Sequence, residues 1–182
     1  MIYPIRAYGD PVLRKECEEI DENYPKLKEL IADMYETMYA SHGVGLAAPQ
    51  IGVPIRLFVI DSSGIDEKNP VKKTFINAYI VEEEGKEWTY EEGCLSIPAS
   101  REDVIRLDKI KVEYHDENFN LKEEEFTGII ARIIQHEHDH TDGVMFVDYL
   151  SPLKKRLIKN KLAAISKGKV EIDYKMKFPL KK

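Results

Sequence analysis

The sequence has little cysteine: Cys17 and Cys94 are the only two in 182 residues. In a reducing compartment, a lone cysteine near a metal-site signature reads as a ligand rather than as half of a disulfide. No apolar run approaches the roughly 20 residues of a membrane-spanning helix. The opening residues, Met1-Ile2-Tyr3-Pro4-Ile5-Arg6, have neither the apolar stretch of a signal peptide nor the Arg/Ser richness of a transit peptide, so a cytoplasmic location is expected. Repeats, low-complexity tracts and internal linkers are also missing. One domain spanning residues 1–182 is therefore expected, long enough to bury a real core. The hydrophobic fraction of 43% and charged fraction of 33% fit a soluble globular chain and exclude a disordered one.

Charge is unevenly spread. Residues 151–182 hold eleven Lys/Arg against Glu171 and Asp173, a balance of +9, while the first 150 residues balance at −15. A basic helix and tail on an acidic body suit a polyanionic partner; a lysine face kept for solubility gives the same pattern, and both readings stand.

The stretch that carries chemistry is Gln135-His136-Glu137-His138-Asp139-His140. His136 and His140 are four apart, so a helix puts both imidazoles on one face. Glu137 completes an H-E-x-x-H pattern. Two histidines can hold a divalent metal, and the glutamate is then placed to take a proton from a metal-bound water. The run Ile129-Ile130-Ala131-Arg132-Ile133-Ile134 has no Gly or Pro and supports a buried helix; Ile129 and Ile133 extend the histidine face, and Gly143 supplies a stop. His138 falls on another face and is expected to stand behind the ligands or in solvent rather than to bind a metal. A catalytic zinc-type site takes three protein ligands, and the helix supplies two. Satisfied core histidines are the competing reading.

Asn23-Tyr24-Pro25 is expected to open an N-terminal helix after an irregular arm. Leu27, Leu30, Ile31, Met34 and Met38 follow the helical rhythm, which ends near Ser41-His42-Gly43, with His42 as a cap or end charge. Gly43-Val44-Gly45-Leu46-Ala47-Ala48-Pro49-Gln50 is not a phosphate loop, because the glycine spacing is wrong and no Lys-Ser/Thr follows. Its small residues permit close backbone approach, and Gln50 reads most simply as a turn glutamine bonded to backbone. Strands are expected at 56–60, 74–81 around Asn77, and 86–90 with Trp88 at a sheet edge. A tight turn bears Cys94, and a hairpin pairs 110–114 with 121–126, leaving His115 exposed. Residues 144–150 read as an extended apolar segment. Ser151-Pro152 caps a last helix that turns Leu153, Leu157, Ile158, Leu162 and Ile165 inward, up to Gly168. The fold class is α+β: short, mainly antiparallel strands around a central metal-carrying helix, with an N-terminal helix and a basic C-terminal helix.

Three stretches line up: Gly43-Val44-Gly45-Leu46-Ala47-Ala48-Pro49-Gln50, Glu92-Gly93-Cys94-Leu95-Ser96 and Gln135-His136-Glu137-His138-Asp139-His140. In this order and spacing they resemble the three signature motifs of the peptide deformylases. The resemblance runs from Gly9-Asp10-Pro11-Val12-Leu13 to Asp148-Tyr149-Leu150-Ser151-Pro152. It implies a hydrolase that removes the formyl group from the N-terminal formylmethionine of nascent polypeptides in a bacterial cytoplasm, releasing formate. It implies Cys94, His136 and His140 as metal ligands, with Fe(2+) expected and Zn(2+), Ni(2+) or Co(2+) possible instead. Glu137 would be general base and acid, and the Gln50 amide and Leu95 N–H would meet the oxyanion. Val44, Gly45, Ile129 and Ile133 would form the methionine pocket, Arg101 would touch the peptide, and Glu92 would pair with Arg106 to brace the cysteine loop.

The expected partners are nascent N-formylmethionyl peptides and, through the basic C-terminal helix, the ribosome; no membrane is expected. Thr141 departs from the apolar residue usual after the last histidine. The competing readings are a zinc peptidase, since H-E-x-x-H also serves there, and a non-catalytic ribosome-binding module with a structural metal. A structural metal wants a fourth protein ligand that the motifs do not contain.

Overall fold

A computed structural model describes residues 1–180. The fold is α+β. Five strands, β2 (Gly45–Ala47), β3 (Leu57–Asp61), β4 (Lys72–Cys94), β5 (Ile97–His115) and β6 (Leu121–Thr127), form an antiparallel sheet in the order β2-β3-β4-β5-β6. The expected antiparallel sheet is present, but β4 and β5 are long, with 23 and 19 residues. The strands expected separately at 74–81 and 86–90 are one. Gly85, at φ +91°, takes up a register shift between the Glu84–Lys109 and Glu87–Leu107 pairs, and Asp108 Oδ1 accepts from the Lys86 N–H at 2.8 Å. A bulge bends a strand without ending it. A second irregularity falls at Asn77, φ +51°, whose amide bonds both backbone groups of Ile20 at 3.0 and 2.8 Å.

Helix α1 (Leu27–Ala40) buries Leu27, Ile31, Met34, Tyr35 and Met38 against β2 and β3. It starts later than expected. Asp21 accepts from the Asn23 N–H at 2.8 Å, which draws Asn23 into an Asx turn, and Lys26, with φ 56°, precedes the first helical residue. The C-terminal end matches expectation, with Gly43 N–H returning to Met38 O at 2.9 Å. Helix α2 (Gly128–Thr141) lies across the sheet, with Ala131, Ile133 and Ile134 packed on Phe58, Phe75 and Val112. Gly143, φ +72°, follows its end. His115 is half-buried beside Phe119, ring centroids 5.7 Å apart, not exposed. Trp88 is packed at a sheet edge, as expected: β4 pairs there with β5 alone, and the Arg132 guanidinium lies 4.6 Å from the Trp88 ring centroid.

The segment at 144–150 is not extended. Phe146–Tyr149 forms a 3₁₀ turn, because Asp148 Oδ2 accepts from the Met145 N–H at 2.9 Å and pairs with Arg14 at 2.6 Å. Helix α3 (Pro152–Ser166) begins with Ser151 Oγ accepting from Lys154 N–H. Ile158, Leu162 and Ile165 are buried, but Leu153 and Leu157, expected inward, are 66% and 69% exposed. Leu157 lies about 100° around the helix from Ile158, so the buried stripe cannot hold both leucines. The chain then returns along the N-terminal arm, where β1 (Ile5–Arg6) pairs in parallel with β7 (Met176–Lys177). That pairing was not foreseen. The last two residues of the expected C-terminal tail lie outside the described residues. No helix among the described residues is long and apolar enough to cross a membrane.

Candidate metal centre and cleft

Two elements bring the histidines and the cysteine together. α2 places His136 and His140 one turn apart, ring centroids 5.1 Å from each other. Cys94 ends β4, at the turn into β5, with Sγ 3.3 Å from His140 Nε2. The ligand-capable atoms of Cys94, His136 and His140 lie within 4.8 Å of one another. One soft thiolate and two imidazoles suit a divalent metal with an open position. His136 Nδ1 is turned to Glu92 Oε2 at 3.1 Å, which leaves its Nε2 for the cluster. The residues present therefore fit a metal.

Glu92 is itself held by a buried network. Arg106 makes a two-pronged contact with it, Nε to Oε1 at 2.7 Å and Nη2 to Oε2 at 3.1 Å, as expected for the pair. Arg132 adds a third bond at 2.8 Å, and Arg106 also reaches Asp139 at 2.8 Å. Burial alone would raise the Glu92 pKa, but His136 and Arg106 outweigh it and hold the carboxyl well below the usual range. Arg132 and Asp139 were not singled out from the sequence. Arg132 carried one signal: a charge four residues ahead of His136 in the otherwise apolar run 129–134.

Glu137 lines a cavity of about 780 Å³. Its Oε2 is buried without a protein partner, and burial pushes its carboxyl up to about 7. Gly45 backs it closely; a Cβ there would come within 2.8 Å of the Glu137 Cδ. The glycine is thus required by a close approach.

Gln50 is buried at 2% exposure. Its Oε1 accepts from Ala47 N–H at 2.9 Å, the backbone bond foreseen for it. That bond fixes which way the amide faces: Nε2 is directed at Ser96 Oγ, 3.2 Å, and Cys94 Sγ, 3.5 Å. Ser96, two residues past the cysteine, was not anticipated. Gln50, Leu95, Val44, Ile129, Ile133 and Arg101 all line the cavity with Glu137.

His138 stands apart from the cluster. It is not solvated: its Nδ1 is 3.6 Å from Asp142 Oδ2, its Nε2 is buried without a protein partner, and burial pushes its pKa down to about 4. Thr141 has a role in the same corner. Its hydroxyl donates to His138 O at 2.7 Å and accepts from Arg56 Nη1 at 3.2 Å. Arg56 also pairs with Asp142 and donates to Ala78 O at 3.1 Å, which ties the end of α2 to the sheet.

Residues 2–156 match the family model described as polypeptide deformylase. Among curated relatives, a peptide deformylase of Christiangramia forsetii is 55% identical, with 98% of this chain and 97% of that protein covered. One of Flavobacterium johnsoniae is 57% identical, with 98% and 96% covered. Among solved structures, a peptide deformylase from Legionella pneumophila superposes with a TM-score of 0.82 at 41% identity, covering 93% of this chain and 98% of that one.

Proposed function

The chain belongs to the polypeptide deformylase family, and from that premise we propose how its own residues remove an N-terminal formyl group. It is a metal-dependent enzyme of that family, and its substrates on this reading are nascent N-formylmethionyl peptides in a bacterial cytoplasm. Cys94, His136 and His140 would hold the ion, Fe(2+) by resemblance, with Zn(2+), Ni(2+) or Co(2+) as substitutes. When bound, the ion supplies Lewis acidity that makes water nucleophilic at neutral pH. Glu92 orients His136 through Nδ1.

Glu137 takes the proton from the attacking water and later gives it to the leaving amine. A carboxyl raised to about 7 by burial suits both directions of that transfer. The Gln50 Nε2 and the Leu95 N–H donate to the oxygen of the formyl carbonyl as charge builds on it. Val44, Gly45, Ile129 and Ile133 receive the methionine side chain, and Arg101 contacts the peptide beyond it.

The observation that carries this reading is the position of Glu137: an unpaired, buried carboxylate oxygen in the cavity that Cys94 and His136 of the three-donor cluster also line. The test is formate release from a short formyl-methionyl peptide by anaerobically prepared, Fe(2+)-loaded protein. Rapid release that is abolished in Glu137→Gln, with the metal retained, is expected. Equal rates in the two proteins would remove Glu137 from the reaction, and no release by the native protein would sink the reading.

For the ribosome, we propose contact through the basic helix α3, where Lys154, Lys155 and Lys159 are exposed. Reversing these lysines to glutamate should abolish co-sedimentation with ribosomes at low salt. Unchanged co-sedimentation would refute it.

A further inference from the structure

We propose that the segment after α3, Glu171–Tyr174, is a specificity wall of the cleft that favours formyl-methionyl peptides carrying a basic residue downstream of methionine; the proposal rests on the deformylase reading above. The match to the family model ends at residue 156, so this wall is formed by chain outside it. The segment lines the same cavity as Glu137 and Cys94.

It is fastened on both sides. Tyr174 donates its hydroxyl to the Leu95 carbonyl at 2.8 Å, on the loop that follows Cys94. Immediately after it, Ile5 N–H bonds Lys175 O at 2.9 Å and Ala7 N–H bonds Lys177 O at 3.0 Å, which holds β7 on β1. Exposure alternates along the wall: Ile172 and Tyr174 are half-buried, Glu171 and Asp173 exposed.

The charge placement is selective. Residues 151–182 contain eleven Lys/Arg and only two acids, Glu171 and Asp173. Both acids lie on the cavity, while the lysines that flank them in sequence do not line it. A third exposed carboxylate, Glu91, lines the cavity from β4. Among the described residues, the exposed Lys/Arg side chain lining the cavity is Arg101, and His42 faces Asp173 at 3.3 Å. The deeper charges, Glu92 and Arg132, are bonded to each other. On this proposal a peptide with its formyl end at the cluster leaves past Glu171 and Asp173, while α2 lines the cavity through Ile129, Ile133 and His136. There it meets more carboxylates than cations, and a lysine or arginine side chain gains an exposed ion pair that a glutamate forfeits.

The test compares kcat/KM for formyl-Met-Ala-Lys, formyl-Met-Ala-Ala and formyl-Met-Ala-Glu amides in the metal-loaded full chain. The native protein should prefer the lysine over the glutamate peptide by about five- to tenfold at low ionic strength, each carboxylate contributing roughly two- to threefold. The preference should shrink in 0.5 M NaCl, as screening requires. In Glu171→Gln/Asp173→Asn the ratio should fall towards one, and in Glu171→Lys/Asp173→Lys it should invert. A native ratio near one, or a ratio unchanged in both double variants, overturns the wall while the alanine peptide still reports a working deformylase. No formate from any of the three peptides overturns the deformylase reading and this proposal together.

Discussion

The strands β4 and β5 carry two ion networks built from similar residues, and burial separates what they do. Near the turn, Glu92 is buried and bonded to Arg106, Arg132 and His136. Midway along the same strands, Lys109 pairs with Glu84 and Glu125, and Lys111 with Glu82 and Glu123, all with exposed carboxylates. The buried network uses arginine, whose planar fork satisfies a carboxylate from two directions and still reaches a second partner. The exposed ladder uses lysine, a hydrated point charge that water can replace. The first network aims a candidate ligand; the second keeps a long strand soluble and discourages edge pairing. Counting ion pairs would score the two alike.

The largest effect that would test this contrast is expected at Glu92. In Glu92→Ala two buried guanidinium groups lose their common acceptor, a change that typically costs about 3–5 kcal/mol. His136 Nδ1 loses its partner too, so metal affinity should drop by roughly 10- to 100-fold. Denaturant unfolding reads the first and competition with a chelator the second. A loss in stability without a loss in metal affinity would mean that Glu92 braces the loop but does not orient His136.

Gln50 sharpens the comparison, because it is as buried as Glu92 but neutral. Gln50→Ala leaves the Ala47 N–H unpaired, at about 1–3 kcal/mol. The greater change should be in turnover: removing one oxyanion donor lowers kcat by about 10²–10³. Near-normal kcat would leave Gln50 with its backbone bond and Ser96 alone.

These sites differ in how far the sequence reveals them. His136, His140 and Glu137 are legible because helical spacing converts directly into a shared face. Cys94 was brought to them by resemblance, since nothing local says that a turn some forty residues earlier meets α2. Arg132 and Asp139 are less legible: each lies on the same helix as the histidines, but their partners, Glu92 and Arg106, come from distant strands. Thr141 made sense only once Arg56 was seen reaching it from the residue before β3. The strand lengths were missed for a local reason. Gly85 punctuates the sequence like a turn, but in the sheet its positive φ supports a bulge. Leu153 and Leu157 look like core and are not, because the helical rhythm does not say which stripe meets a body. The wall at 171–174 had no signal at all, as a polar stretch acquires meaning only from what it is docked against.

The smallest effect is expected on the ladder, and it bears most directly on what burial contributes. Lys111 bonds Glu123 at 3.0 Å, a distance as short as several in the buried network. If distance decided the outcome, Lys111→Ala would cost as much as loosening Arg106. If burial decides it, water and salt replace the lysine and the denaturation midpoint does not move. We expect no measurable shift in 0.15 M salt and at most a small one at low salt, with formate release unchanged. A loss comparable to that of Glu92→Ala would mean that the middle of the hairpin depends on its charges for pairing. The middle of β4 and the cysteine turn would then be one cooperative unit rather than two.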